Sequence, residues 1–338
     1  MMIIMKPDAT EEQVQHVVDR LANVGAKGHT SRGEFVTIIG AIGDREEIAA
    51  LPLDAMPGVD RVMPILKPYK LASRQIHPDD TVVRVNDRSL GGGAFALIAG
   101  PCSVESEDQY RLAARQAKDA GASMLRGGAF KPRTSPYSFQ GLGEEGLKIM
   151  AAAREETGLP IVTELMDPRE VETVLKYADV IQIGTRNMQN FQLLSEVGKV
   201  ERPVLLKRGM SATIEELLMA AEYILKEGNA NVILCERGIR TFETATRFTL
   251  DLSAVPVIKK QSHLPVVVDP SHATGKRDLV LPLSLASVAV GADGLLVEMH
   301  PEPEEALCDG SQSLPVNEFT TFATEVRRYV EMTGRYIS

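Results

Sequence analysis

The chain has 338 residues, 44% hydrophobic and 25% charged, which suits one large folded domain plus a small module. A formal net charge of -9 argues against general nucleic-acid binding and against an anionic membrane surface, so any local cluster of cations is there for small anionic ligands. Three cysteines, Cys102, Cys235 and Cys308, form an odd and sparse set, which points to a reducing compartment and to free thiols or metal ligands rather than disulfides. Lys6 and Asp8 come too early for the apolar core of a secretory leader, so a cytoplasmic location is expected.

Met1–Lys6 reads as a short apolar strand. Residues 11–24 carry helical spacing at Val14, Val17, Val18 and Leu21, with Thr10 as N-cap. A strand near Lys27–Ser31, another over Phe35–Gly40, a short helix over Asp44–Ala50 and a strand over Val59–Ile65 complete the order β-α-β-β-α-β. That order predicts a ferredoxin-like α+β domain over residues 1–66. Residues 67–90 hold Pro68, Pro78, Asp79 and Asp80 and few periodic apolar positions; they are expected to be a linker leading into the second domain.

From Phe95 onward strands and helices alternate. The expected strands are Phe95–Ala99, Ser123–Gly127, Pro160–Glu164, Val180–Gly184, Val204–Lys207, Val232–Cys235, Val266–Asp269 and Leu295–Glu298. Helical patterns such as Glu107–Ala120 and Thr213–Lys226 lie between them. Eight near-continuous apolar strands with helical crossovers predict an α/β fold, a (β/α)8 TIM barrel over residues 91–338. A doubly wound sheet is the alternative, but it usually has fewer strands and an organised nucleotide loop. The longest apolar stretch, 279–297, is broken by Pro282, Gly291, Asp293 and Gly294, so it reads as a buried helix and a strand, not a membrane span. Residues 141–146 match G-x-G-x-x-G literally, but they follow a turn-rich stretch and carry two glutamates, which argues against a dinucleotide site.

In such a barrel the chemistry sits at the C-terminal ends of the strands. Each of the eight expected ends is polar. The densest, residues 126–135, packs Arg126, Lys131 and Arg133, the pair Gly127-Gly128, Pro132 and the hydroxyls of Thr134 and Ser135 behind apolar Met124 and Leu125. Arginine offers a fixed bidentate fork for phosphate or carboxylate, lysine a point charge. The two glycines are expected to let backbone approach a ligand. Arg186, Lys207 and Arg237 add cations from other strand ends, enough for two phosphates or for a phosphate and a carboxylate. A second subset, Cys102, His272, Glu298 and Asp309, joins a thiol, an imidazole and two carboxylates, which suit a divalent transition metal such as Mn, Fe, Co or Zn. Spacing alone does not separate that reading from a buried apolar cysteine and a capping histidine.

The motifs Gly100-Pro101-Cys102-Ser103, Lys131-Pro132-Arg133-Thr134-Ser135, Ile183-Gly184-Thr185-Arg186-Asn187, Leu206-Lys207-Arg208-Gly209, Cys235-Glu236-Arg237-Gly238 and Asp269-Pro270-Ser271-His272 resemble those of the 3-deoxy-D-arabino-heptulosonate 7-phosphate (DAHP) synthase family. The resemblance covers roughly residues 68–338, and the N-terminal module is similar to the regulatory domain of the type Iβ branch. The 3-deoxy-D-manno-octulosonate 8-phosphate (KDO8P) synthases share the fold. They carry Lys-Ala-Asn-Arg-Ser/Thr where this chain has Lys131–Ser135, and they usually lack an added N-terminal module. Arg133 therefore favours the heptulosonate branch, with KDO8P synthase acting on arabinose 5-phosphate as the alternative.

The resemblance implies condensation of phosphoenolpyruvate with erythrose 4-phosphate to DAHP and phosphate, the first step of the shikimate pathway. It implies that Arg126, Lys131, Arg186, Lys207 and Arg237 bind the phosphate and carboxylate of phosphoenolpyruvate, and that Gly184 and Thr185 are substrate-binding positions. It places Lys131, Pro132, Arg133, Thr134 and Ser135 in the erythrose 4-phosphate loop, Glu164 near the water that reaches C2, and Cys102, His272, Glu298 and Asp309 around one divalent metal ion. Thr185 departs from the Ala or Ser common there, and Cys308 puts a second thiol beside Asp309. Lys131 or Lys207 as a Schiff-base nucleophile is a competing chemistry, less suited to a lysine crowded by arginines and phosphate. The N-terminal module implies feedback inhibition by an aromatic amino acid, tyrosine or phenylalanine, with His29 and Ser31 as effector contacts; oligomerisation alone is its other reading. A homotetramer is usual for the family. A non-enzymatic amino-acid sensor with a dead barrel is the reading from another class, and the intact site residues argue against it.

Overall fold

The computed structural model describes residues 1–33, 36–63, 67–132 and 135–338, apart from the Arg45 side chain. The chain divides into two units, Met1–Pro68 and Tyr69–Ser338.

In the first unit, β1 (Met2–Met5), α1 (Glu11–Ala22), β2 (Lys27–Arg32), β3 (Thr37–Ile42), α2 (Arg45–Ala49) and β4 (Val59–Met63) follow one another. The sheet is antiparallel in the order β2-β3-β1-β4, the ferredoxin-like arrangement. Helix α1 starts where it does because Thr10 and Gln13 form a reciprocal capping box and Glu11 and Glu12 sit at the positive end of the helix dipole. Its stripe Val14, Val17 and Leu21 is buried in one core with Ile3, Met5, Ile39 and Ala41. Strand alternation then places His29 and Ser31, both exposed, on the face of edge strand β2 opposite Gly28, which packs on Val18 and Leu21 of α1. Phe35 and residues 64–66, parts of two expected strands, lie outside the described residues.

The second unit is a closed parallel barrel. Its strands are β7 (Ala94–Gly100), β8 (Met124–Arg126), β9 (Ile161–Glu164), β10 (Val180–Ile183), β11 (Val204–Lys207), β12 (Val232–Glu236), β13 (Val266–Val268) and β14 (Gly294–Glu298). Neighbours pair in chain order, and β14 pairs back onto β7 from Gly294↔Ala96 to Glu298↔Gly100. That closure excludes the doubly wound sheet. Helices α3 (Glu107–Asp119), α4 (Glu144–Thr157), α5 (Val171–Leu175), α6 (Phe191–Gly198), α7 (Ile214–Lys226), α8 (Ala254–Gln261), α9 (Pro270–Thr274), α10 (Val280–Ala289) and α11 (Val316–Met332) fill the crossovers. The apolar stretch 279–297 is thus α10 followed by β14.

The pleat divides every strand into two faces. Leu97, Leu125, Ile161, Ile181, Leu206 and Leu295 pack outward among the helices. Ala96, Ile98, Met124, Val162, Val180, Leu205, Ile233, Val267 and Leu296 point inward and fill the barrel. Two elements were invisible in the sequence pattern. A hairpin, β5 (Val83–Val85) with β6 (Arg88–Leu90), adds Val83, Val85 and Leu90 to the interior cluster. A terminal strand, β15 (Tyr336–Ile337), pairs with β7 outside the barrel.

Residues 69–81, read from the sequence as linker, run along the barrel. Tyr69 and Ala72 are buried in its core. The carboxylate of Glu222 on α7 accepts the backbone N–H groups of Lys70, Leu71 and Ala72, each at 2.9 Å. Hydrogen bonds to a charged acceptor contribute about 1.5–3 kcal/mol. Glu222→Ala is expected to lower barrel stability by about that amount and to open residues 69–81 to proteolysis. A thermal melt and limited digestion matching the parent protein would contradict this anchoring.

Candidate functional site

Parity along the strands builds the site. Two residues beyond an inward apolar side chain, the chain points inward again, now at the barrel mouth. Met124 is followed in this way by Arg126, Val162 by Glu164, Val180 by Gln182, Leu205 by Lys207, Val267 by Asp269 and Leu296 by Glu298. All six are buried. A single polar layer therefore lies on the apolar plug, supplied by six different strands.

Above it opens a cavity of about 450 Å³. Arg126, Lys131, Arg186, Lys207 and Arg237 all line it, as do Pro132, Ser135, Glu164, Gly184, Thr185, His272 and Asp309. Arg133 and Thr134 lie outside the described residues. The sequence reading missed Arg247, Gln182, Ser138, Met210 and Phe248, which also line it. The fit is close beside Glu164: a Cβ on Gly184 would sit 1.9 Å from its Oε1.

The glycine pair works differently from the expectation. A Cβ at Gly127 would meet the Tyr110 ring at 2.6 Å, and one at Gly128 would meet Lys131 Cδ at 2.5 Å. These glycines make room for protein side chains, Lys131 above all, rather than for a ligand. The glycines of residues 141–146 likewise serve packing, since Gly141 and Gly146 lie against Ala129.

The cations differ in how far they are already satisfied. Arg126 Nη1 donates to Glu298 Oε1 and to Pro101 O, both at 2.8 Å. Burial opposes its charge, but Glu298, Cys102 and Asp269 outweigh burial and raise its pKa. Lys131 Nζ donates to Cys102 O at 3.0 Å and Cys102 Sγ at 3.1 Å. Burial disfavours its charge as well, yet its surroundings, Cys102 first and then Cys308 and Glu164, outweigh burial and raise the pKa. Lys207 Nζ lies 2.5 Å from Asp269 Oδ2. Arg208, next in sequence, belongs to the scaffold, bound to Glu236 and Asp251 at 2.8 and 2.9 Å.

Arg126 leaves only Nε buried without a partner, whereas Arg237 leaves two donors so. Arg237 is buried over the Phe248 ring, 4.2 Å from the centroid, and Nη2 donates to His272 O at 3.3 Å. Its Nε and Nη1 are buried without a partner. Buried guanidinium donors without acceptors are costly unless something else accepts them. Arg186, exposed across the same cavity, makes no ion pair among the described residues.

The second subset forms one cluster. Ligand atoms of Cys102, His272, Glu298 and Asp309 all lie within 4.8 Å of one another. His272 sits on α9, whose N-cap Asp269 accepts its backbone N–H at 2.9 Å. Its ring is held between two carboxylates, Nδ1 being 2.7 Å from Asp269 Oδ2 and Nε2 3.2 Å from Glu298 Oε1. Burial keeps His272 below its ordinary pKa despite them. Glu298 and Asp269 are desolvated, but His272 and the adjacent cations hold both carboxyls below the usual range. Asp309 is held down to about 2, burial being outweighed by His272 and Arg247, whose guanidinium is 3.2 Å away. Cys102 runs the other way: its hydrogen bond with Cys308, 3.0 Å between sulfurs, and then burial raise the thiol pKa. Ionised carboxylates and a neutral imidazole are ready ligands, and the thiol is one that a divalent cation would deprotonate on binding. The mixed donor set fits one divalent transition-metal ion.

Residues 79–334 match the DAHP synthetase I family, and residues 1–67 match the DAHP synthase ferredoxin-like domain. A phospho-2-dehydro-3-deoxyheptonate aldolase from Thermotoga maritima is 52% identical over 334 residues, covering 99% of both chains. The crystal structure of a DAHP synthase from that organism superposes with a TM-score of 0.97 at 50% identity, over 100% of this chain and 99% of that one. A 2-dehydro-3-deoxyphosphooctonate aldolase from Syntrophotalea carbinolica is 34% identical over 255 residues, covering 70% of this chain and 91% of its own.

Proposed function

This chain belongs to the DAHP synthetase I family, whose enzymes form carbon–carbon bonds, and we propose that it condenses phosphoenolpyruvate with erythrose 4-phosphate to DAHP and phosphate. The observation that carries the substrate reading is the pair of buried, unpartnered donors on Arg237, in a cavity that Arg186, without an ion pair among the described residues, also lines. A phosphate is the acceptor that such a pair lacks. Lys207 completes this phosphate end, and Arg126 and Lys131 hold the carboxylate of phosphoenolpyruvate. Ser135 and Pro132, with Arg133 and Thr134, take the phosphate of the sugar. Arg247 adds a sixth cation at the cavity wall.

In the reaction, C3 of phosphoenolpyruvate bonds to the aldehyde carbon, whose oxygen gains a proton. Water adds at C2, and the bond from C2 to the phosphate oxygen breaks to release phosphate. The cations fix two anions at attack distance, which removes much of the entropic barrier of a two-substrate step. Glu164 steadies the charge that develops at C2 and accepts the proton of the added water. Cys102, His272, Glu298 and Asp309 would hold one Mn, Fe, Co or Zn ion, which supplies Lewis acidity toward the aldehyde when bound. The full-length match with the Thermotoga enzyme, N-terminal unit included, favours this substrate pair over arabinose 5-phosphate.

Chelator-treated protein is expected to release phosphate from the two substrates only after Mn²⁺ is added, and far more slowly with arabinose 5-phosphate. Equal rates after exhaustive chelation would remove the metal from the mechanism, and preference for the pentose would reassign the enzyme as KDO8P synthase.

We further infer that the N-terminal unit binds tyrosine or phenylalanine as a feedback inhibitor and that the assembly is a homotetramer. Support comes from the ferredoxin-like match and from exposed His29 and Ser31 side by side on an open sheet face. Millimolar tyrosine or phenylalanine should lower the rate, and His29→Ala should blunt that inhibition without changing the uninhibited rate. Inhibition that is unaltered in the variant would place the effector elsewhere.

A further inference from the structure

The barrel fixes Glu298 and His272 directly, through β14 and through α9. Cys102 and Asp309 have less support. Cys102 lies just past β7, and Asp309 sits in the loop between β14 and α11. Asp309 is one of two described non-glycine residues with positive φ, at 53°. Such a conformation persists only where surroundings impose it. Part of the constraint is local: Ser313 Oγ donates to Asp309 O at 3.2 Å, and a Cβ on Gly310 would meet Pro303 O at 2.1 Å.

The rest comes from Glu105. Its carboxylate is nearly buried. Oε1 accepts the Ser103 hydroxyl at 3.1 Å and the Leu307 backbone N–H at 3.0 Å. Ser103 follows Cys102, and Leu307 precedes Asp309 by two residues. Oε2 faces His300 Nε2 at 3.6 Å. His300 Nδ1 accepts the Glu302 N–H at 3.0 Å, which leaves the ring proton on Nε2, toward Glu105. Gln109 Oε1 accepts the Glu105 N–H at 3.3 Å and so fixes the residue at the start of α3.

We propose that Glu105 is a positioning residue for the metal centre: one carboxylate ties the segment bearing Cys102 to the loop bearing Asp309 and sets their separation, 3.2 Å between Cys102 Sγ and Asp309 Oδ2. The inference rests on the metal reading above. Outer groups that orient ligands typically change metal affinity by about 10- to 100-fold when removed. The acceptor oxygen does the tying, so glutamine can replace glutamate while alanine cannot.

The test is Co²⁺ titration of the chelated full-length chain, followed by the thiolate-to-cobalt charge-transfer band, with the melting temperature of the metal-free protein in parallel. The parent should bind one Co²⁺ with that band. Glu105→Ala should bind about 10- to 100-fold more weakly with a shifted band, and Glu105→Gln should recover most of the affinity. A purely structural role would lower the metal-free melting temperature and leave affinity and band alone. Folded Glu105→Ala with parental affinity and spectrum overturns this inference by itself. Parent protein that takes up no Co²⁺ overturns the metal centre, and the inference with it. If Glu105→Ala does not fold, Glu105→Asp, which shortens the reach, reads out the same shift, and unchanged binding there is equally contrary.

Discussion

Strand parity in a closed parallel barrel is the constraint on which everything else depends. Closure through β14 and β7 leaves each strand with one face toward helices and one toward the axis. Apolar inward residues fill the axis. The next inward position on six strands is Arg126, Glu164, Gln182, Lys207, Asp269 or Glu298. A slip of one residue in any strand would turn that polar group into the helix layer and an apolar one into the cavity. The site is therefore as precise as the barrel register, and no loop has to fold first to bring these six together.

Stacking so many charges on an apolar floor is tolerable only because they neutralise one another. Arg126 with Glu298 and Lys207 with Asp269 are buried pairs, and breaking one such pair costs about 3–5 kcal/mol. The pairing also divides the labour. Glu298, Asp309 and Asp269 stay ionised beside a neutral His272, which prepares a cation site. Arg237 and Arg186 are left without anions of their own, which prepares an anion site. The two lie against one cavity wall, where Asp309 and His272 meet Arg247 and Arg237.

Much of this was legible beforehand. Apolar runs gave all eight barrel strands to within a residue or two, and the ferredoxin-like order followed from Thr10, the α1 stripe and the strand spacing. Arg126, Lys207 and Glu298 stood out because charge directly after an apolar run is rare. Gln182 and Asp269 carried the same parity signal, two residues beyond Val180 and Val267, but Gln182 has no charge and Asp269 stood only as the end of an expected strand, with no partner that the sequence could name. Arg247 and Glu105 had no such signal: each acts through a loop whose path depends on tertiary contacts. The hairpin at 83–90 and strand β15 are too short for a period to register. Gly127 and Gly128 misled because a glycine pair beside cations looks the same whether it clears space for a ligand or for Tyr110 and Lys131.

The cation set and the four-residue cluster able to hold a metal ion are separable devices meeting at one cavity. Calorimetric titration of phosphoenolpyruvate into exhaustively chelated protein tests it most directly, with Arg237→Ala beside the parent. The chelated parent should bind phosphoenolpyruvate at one site per chain, and Arg237→Ala should lose most of that affinity. Binding that appears only when metal is restored, or that survives Arg237→Ala unchanged, would contradict that separation.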